Sequence, residues 1–135
     1  MASLEMLRPA GWARATGFSY AVVADGSRTV FIAGQLAVID GAASVTPSMP
    51  FTDQYIQALR NVIAVVKAAG GCAASITMLR AFVCDMASFR QSHEPVGAVW
   101  RELFGKHFPA MTVVEVAQLY CPNAQVEIEA VAVIG

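Results

Sequence analysis

FTDQYIQALRNVIAVVKAAGG, residues 51–71, is the stretch from which the fold can be read outward. Tyr55, Ile56, Leu59, Val62, Ile63 and Val66 recur at helical spacing, while Gln54, Gln57, Arg60, Asn61 and Lys67 fall elsewhere. That pattern predicts an amphipathic helix over Phe51–Ala69, laid on a sheet. Thr52 is placed to cap its first turn, Asp53 sits at the positive end of its dipole, and Gly70-Gly71 end it.

Before this helix, Phe18–Ala24 and Thr29–Ala33 read as strands around the turn Asp25-Gly26-Ser27, a hairpin signal. Asp40-Gly41 marks another turn, and Pro47–Pro50 a loop. After it, Ser75–Cys84 reads as a strand with Ile76, Met78, Phe82 and Cys84 on the face of Arg80. A second helix is expected over Pro95–Phe104, with Val96, Val99, Trp100 and Leu103 as its apolar stripe. Met111–Leu119 and Gln125–Ile134 read as closing strands joined by a hairpin-like loop at 120–124. In the last of them Val126, Ile128, Ala130, Ala132 and Ile134 point one way; Glu127, Glu129, Val131 and Val133 point the other. The order β-β-α-β-α-β-β predicts a single α+β domain over residues 1–135. It would have a mixed sheet with two helices on one face, preceded by an extension at 1–16.

Apolar residues make up 56% of the chain and charged ones 14%, with a mean hydropathy of +0.54. Ordinary soluble domains run at about 45–50% and about 25%. A domain of this size buries only about two-thirds of the surface its unfolded chain exposes, so the surplus calls for a partner. A membrane is not expected, because Lys67 cuts the tract 62–69, and Gly34-Gln35 cut the tract 30–39. Nine Lys and Arg against ten Asp and Glu give a net charge of −1, with no basic stripe for nucleic acid. Glu5, Arg8 and Pro9 interrupt the apolar core that a signal peptide would need, and the reading is cytoplasmic. Cys72, Cys84 and Cys121 match neither a zinc site nor a disulfide frame and read as buried thiols.

Few residues carry chemistry. Glu127 and Glu129 share a face of the last strand, where a carboxylate can take a proton from water or pair with Arg80 or another cation. Pairing is the preferred reading for Glu129; both stay open for Glu127. Glu115 reads as structural, facing solvent or accepting backbone hydrogen bonds. His93 and His107 have no acidic or cysteine partner at ligand spacing and read as surface residues rather than metal ligands. No nucleophile elbow and no phosphate loop occurs.

Five pieces together resemble one family. They are FIAGQL at 31–36; QALRNV at 57–62, running to Ala69-Gly70; AFVCDM at 81–86; FPAM at 108–111 with VEV at 114–116; and VEIEA at 126–130. In this order, over about 17–134, they resemble the Rid (YjgF-type) family, also labelled endoribonuclease L-PSP. The resemblance implies a chorismate-mutase-like α+β fold and a homotrimer with clefts between subunits. It implies hydrolysis of small enamines or imines such as 2-aminoacrylate, without cofactor or metal. The water-activating carboxylate of the family falls on Glu127, and the tyrosine bordering its cleft on Tyr20. Ala33, Gly34 and Gln35 match its Ser-Gly-Gln, and Met111 and Val113 take the substrate-binding strand positions. Relatives carry an arginine where Met111 stands, and a thioether cannot form a bidentate pair with a carboxylate. The family often has an asparagine where Gly97 aligns, beside a short insertion at 92–96. The expected function is a divergent hydrolase or deaminase acting on an enamine, imine or similar electrophile. Little turnover of 2-aminoacrylate is expected, unless Arg80 or Arg101 replaces the missing cation. The alternative is a small-ligand-binding trimer without catalysis; a ribonuclease is disfavoured for want of a basic patch.

Overall fold

Strict alternation along the last strand decides which face of the sheet is covered. The computed structural model describes residues 2–39 and 44–135, so the turn expected at Asp40-Gly41 lies outside the described residues. Strand β6 (Val126–Ile134) buries Val126, Ile128, Ala130, Ala132 and Ile134, and leaves Glu127, Glu129, Val131 and Val133 partly exposed. It lies between β3 (Arg28–Gln35) and β4 (Ile76–Val83), antiparallel to both, and β5 (Ala110–Glu115) runs parallel to β4 on the far side. A separate two-stranded ladder pairs β1 (Ser3–Leu7) with β2 (Ala21–Asp25). The domain is α+β, with helices α1 (Phe51–Ala68), α2 (Met86–Gln91) and α3 (His93–Phe104).

Helix α1 covers the buried face. Tyr55, Leu59, Val62 and Val66 on it pack with Ile128, Ala130 and Ala132 of β6 and Leu79 of β4 in one core. At about 25 cal/mol per Å² of apolar area removed from water, this burial is the main force holding helix to sheet. Thr52 does not cap α1: the cap position is Pro50, without a side-chain bond, and Thr52 already lies inside the first turn. Gln54, expected off the apolar side, is only 1% exposed. Its Nε2 donates to the carbonyls of Met49 and Asn123 at 3.0 and 3.1 Å, and its Oε1 accepts from the Gln125 amide at 2.9 Å. One buried amide thus ties two loops to α1. Similarly, Asn61 Nδ2 donates to the carbonyls of Leu36 and Val38, both at 2.8 Å, and holds the chain leaving β3.

Four expectations are corrected. The turn at Gly26-Ser27 makes no hairpin, since β2 pairs with β1 and β3 with β6. Neither turn residue has the positive φ that a two-residue hairpin turn requires. In β4 a register shift between Ile76 and Met78 moves Ile76 to the buried side with Leu79, Ala81 and Val83, leaving Met78, Arg80 and Phe82 on the open face. Strand β5 ends at Glu115 rather than Leu119, and β5 and β6 form no hairpin because β4 lies between them. Finally, β1 and α2 are additional elements; α2 starts where Asp85 accepts from the Ala87 amide at 3.0 Å and from Ser88 Oγ at 2.9 Å.

Glu115 is structural, accepting from the Met86 amide at 2.9 Å. No helix among the described residues is long and apolar enough to cross a membrane.

The Gln54 latch is testable. Gln54→Ala removes three part-buried hydrogen bonds, with the Met49 carbonyl still accepting from Gln125 Nε2 at 3.3 Å, and should cost about 1–3 kcal/mol in urea unfolding. A loss below about 0.5 kcal/mol would show that water replaces these bonds at no cost.

Candidate functional site

Because side chains alternate across a strand, the expected site residues part to opposite faces of the sheet. In β5, Met111 and Val113 register with Leu79 and Ala81 and so point to the helix side. There they line a cleft of about 600 Å³ between the edge strand and the helices. Its walls are aromatic: Tyr55, Phe89, Trp100, Phe108 and Phe18, with Val96 between them. Tyr55, Phe89 and His93 form a continuous series, with ring centroids 5.5 and 5.2 Å apart. Trp100 lies between Phe104 and Phe108, with centroids at 4.1 and 5.9 Å, and is fixed by Nε1 donating to the His107 carbonyl at 3.2 Å. Helix α3 presents His93, Val96, Gly97, Trp100 and Arg101 to the cleft, the spacing of one helical face. Burial pushes the Tyr55 phenol well above its ordinary value, so its hydroxyl stays protonated beside the cleft.

Tyr20 borders this region without lining it. Its ring stands edge-on to Trp12 and Phe18, at 5.0 and 5.4 Å, and its hydroxyl donates to the Ala13 carbonyl at 2.8 Å. The neighbouring Ser19 is bridged to Ala110 at the start of β5, and its Oγ donates to the Phe108 carbonyl. Residues 16–18, of which Thr16 was expected to belong to the extension, therefore form one rim of the cleft.

Glu127 lies on the other face. It registers with Phe82, and Phe82 with Val114, all on the side away from the helices. Its carboxyl group lies against Gly34: a Cβ at that position would come within 2.6 Å of Glu127 Cδ and 2.7 Å of Oε2. A side chain at Gly34 would displace this carboxylate from where it stands. Ala33 lines a smaller hollow of about 330 Å³ on the same face, and the Gln35 amide donates to the Ala33 carbonyl at 3.0 Å. The two acids differ in pairing. Arg80 Nε meets Glu129 Oε1 at 2.9 Å, whereas Glu127 has no salt-bridge partner among the described residues. Arg80 is thus engaged on the face away from Met111, and Arg101 is the arginine that shares the cleft with Met111. The aromatic walls drew little notice as a site in the sequence, because Tyr55 and Trp100 sit at core positions of their helices; His93, four residues before Gly97 and eight before Arg101, was the available signal.

Of the thiols, Cys121 is buried, but Cys84 is only partly so and Cys72 is exposed, which corrects the expectation of three buried thiols. Burial and the nearby Glu115 carboxylate push the Cys84 thiol up, outweighing a backbone hydrogen bond at Leu119. A raised value means less thiolate at neutral pH. Iodoacetamide at pH 7.5 should therefore modify Cys72 first, as read by peptide mass spectrometry, and Cys84 labelling should grow only as pH rises. Cys84 labelling ahead of Cys72 would contradict this ordering.

Known proteins resemble this chain over most of its length. The family model described as endoribonuclease L-PSP matches residues 11–134. A Drosophila melanogaster protein named RutC family protein UK114 is 36% identical over 118 residues, covering 87% of this chain and 80% of that protein. A human protein named 2-iminobutanoate/2-iminopropanoate deaminase is 31% identical over the same coverage of each. The crystal structure of YyfB from Yersinia pestis, described as a Rid-family protein of unknown function, superposes with a TM-score of 0.82 at 28% identity, covering 97% of this chain and 98% of that one.

Proposed function

The chain belongs to the endoribonuclease L-PSP (Rid) family, and from that premise we propose that it hydrolyses an imine or enamine at a site completed by a second copy of itself. The observation that carries this reading is Glu127, an acid without a salt-bridge partner among the described residues, seated against Gly34 on the open face of the sheet. Within one chain it cannot serve the cleft that holds Met111, since the sheet separates them. A neighbouring subunit removes that obstacle. The open face displays Phe31, 81% exposed, and Val114, 41% exposed, beside Phe82 and Val131, and such a surface is stabilised by burial against another copy. In a homotrimer, each cleft would take Glu127 from its neighbour.

The chemistry is redox-neutral. Glu127 takes a proton from water as the water oxygen bonds to the imine carbon, and the proton passes on to nitrogen. The hydroxyl proton of the resulting carbinolamine then moves to nitrogen as the carbon–nitrogen bond breaks, releasing ammonia and leaving a carbonyl group. Relatives named as 2-iminobutanoate/2-iminopropanoate deaminases support this reaction class. Met111, apolar where an arginine was expected, argues against the smallest of such substrates.

Two measurements test the proposal. With imines generated by an amino-acid oxidase, Glu127→Gln should lower ketoacid release by about 10²–10⁴ while melting temperature and oligomer mass stay unchanged. Full activity in this variant would place the base elsewhere, and dissociation to monomers would make Glu127 structural. Separately, Glu127→Gln and a cleft-blocking Met111→Trp chain, each inactive alone, should regain activity when co-assembled. No recovery from correctly assembled mixtures would place the whole site within one subunit.

A further inference from the structure

The cleft contains one arginine and no carboxylate among its lining residues. Arg101 stands at its mouth, solvent-exposed, and has no salt-bridge partner among the described residues. Its position follows from α3: Gly97 lies one turn earlier on the same face, and Arg101 Nη1 is 4.0 Å from where a Cβ at Gly97 would sit. The guanidinium therefore lies back along the helix over Gly97, beside the cleft, rather than extending away from it. Behind it the walls are rings and branched chains, including Trp100, Phe89 and Val113, with Thr16, Tyr55 and His93 as the other lining residues that carry a polar group. Pockets that take small molecules share this form, mostly apolar walls with few polar groups that fix orientation.

We propose that this cleft binds a monocarboxylate with an aromatic or bulky apolar body, its carboxylate held by Arg101 and its body by the aromatic walls. Under the deaminase reading, on which this assignment of substrate class rests, the preferred substrates are 2-imino acids with large apolar side chains. Arg101 acts there as a specificity-determining contact and takes no part in bond breaking. A guanidinium matches a carboxylate with two parallel hydrogen bonds, and does so from the cleft rim without a buried, unpaired charge when the site is empty. Each added methylene group that the walls bury favours the larger ligand by about fourfold. A three-carbon acid would leave the rings of the cleft uncovered and gain none of this.

Calorimetric titration of the protein with 3-phenylpropanoate, 3-phenylpropanamide and propanoate separates the contributions, with no turnover required. The phenyl acid should bind more tightly than either the amide or propanoate. Arg101→Gln should weaken the acid about tenfold, the low end expected for a rim contact, while leaving the amide and the melting temperature unchanged. Arg80→Gln should alter neither ligand. Equal affinity for propanoate and the phenyl acid, or an Arg101→Gln variant that binds the acid as well as the parent, overturns the proposal. Binding that depends on Arg101 without turnover of any imine would uphold this assignment and remove the deaminase reading. Imine turnover indifferent to side-chain size and to Arg101 would do the reverse.

Discussion

Everything in this molecule hangs on β6, whose side chains alternate without interruption for nine residues between two other strands of its sheet. The period of two sends Val126, Ile128, Ala130, Ala132 and Ile134 into the core under α1, and by the same step sends Glu127 and Glu129 to the opposite face. A slip of one residue would bury both carboxylates and expose the core. Neither state is tolerable, so the register is held by desolvation on one side and apolar burial on the other. The placement of the acids is thus a consequence of core formation and needs no separate device.

The same alternation places the two parts of the proposed site on opposite faces of the sheet. Its aromatic cleft belongs to the helix side of β5, and its Glu127 to the open side of β6. The sheet between them is a rigid hydrogen-bonded wall. Apolar side chains on its open face, Phe31 above all, would supply the attraction for a second copy in the proposed assembly. An association that covers this face also carries Glu127 toward the neighbour. In the proposed trimer, assembly and function would share one physical cause.

Polar groups fix what the apolar core leaves loose. Gln54 ties the loops at Met49 and Asn123–Gln125 to α1, and Asn61 ties the segment after β3. That segment follows Gln35, which is next to the glycine against which Glu127 lies. The Arg80–Glu129 pair, partly exposed on both sides, adds at most about 1 kcal/mol to stability. Its greater effect is chemical: it pairs one acid with one cation on the open face, where Glu127 has no salt-bridge partner among the described residues.

Sequence alone determined whatever depends on local periodicity. The helical spacing of Tyr55, Leu59, Val62 and Val66 defined α1, and the alternation at 126–134 assigned Glu127 to the face away from the core. The Arg80–Glu129 pairing was also legible, since both stand on strands at positions away from that core. Tertiary structure decided what depends on which strands become neighbours. The shift between Ile76 and Met78 that turns Ile76 inward, the pairing of β1 with β2, and the insertion of β6 between β3 and β4 leave no periodic trace. They are set by long-range hydrogen bonding and by fitting side chains into a shared core. The same holds for the cleft. Tyr55 and Trp100 read as core residues because helical spacing reports only that a side chain faces inward. Whether the space it faces is filled, or left open as a cleft with Arg101 at its mouth, depends on how α3 packs on α1 and stands across from β5, elements that meet only in the folded chain.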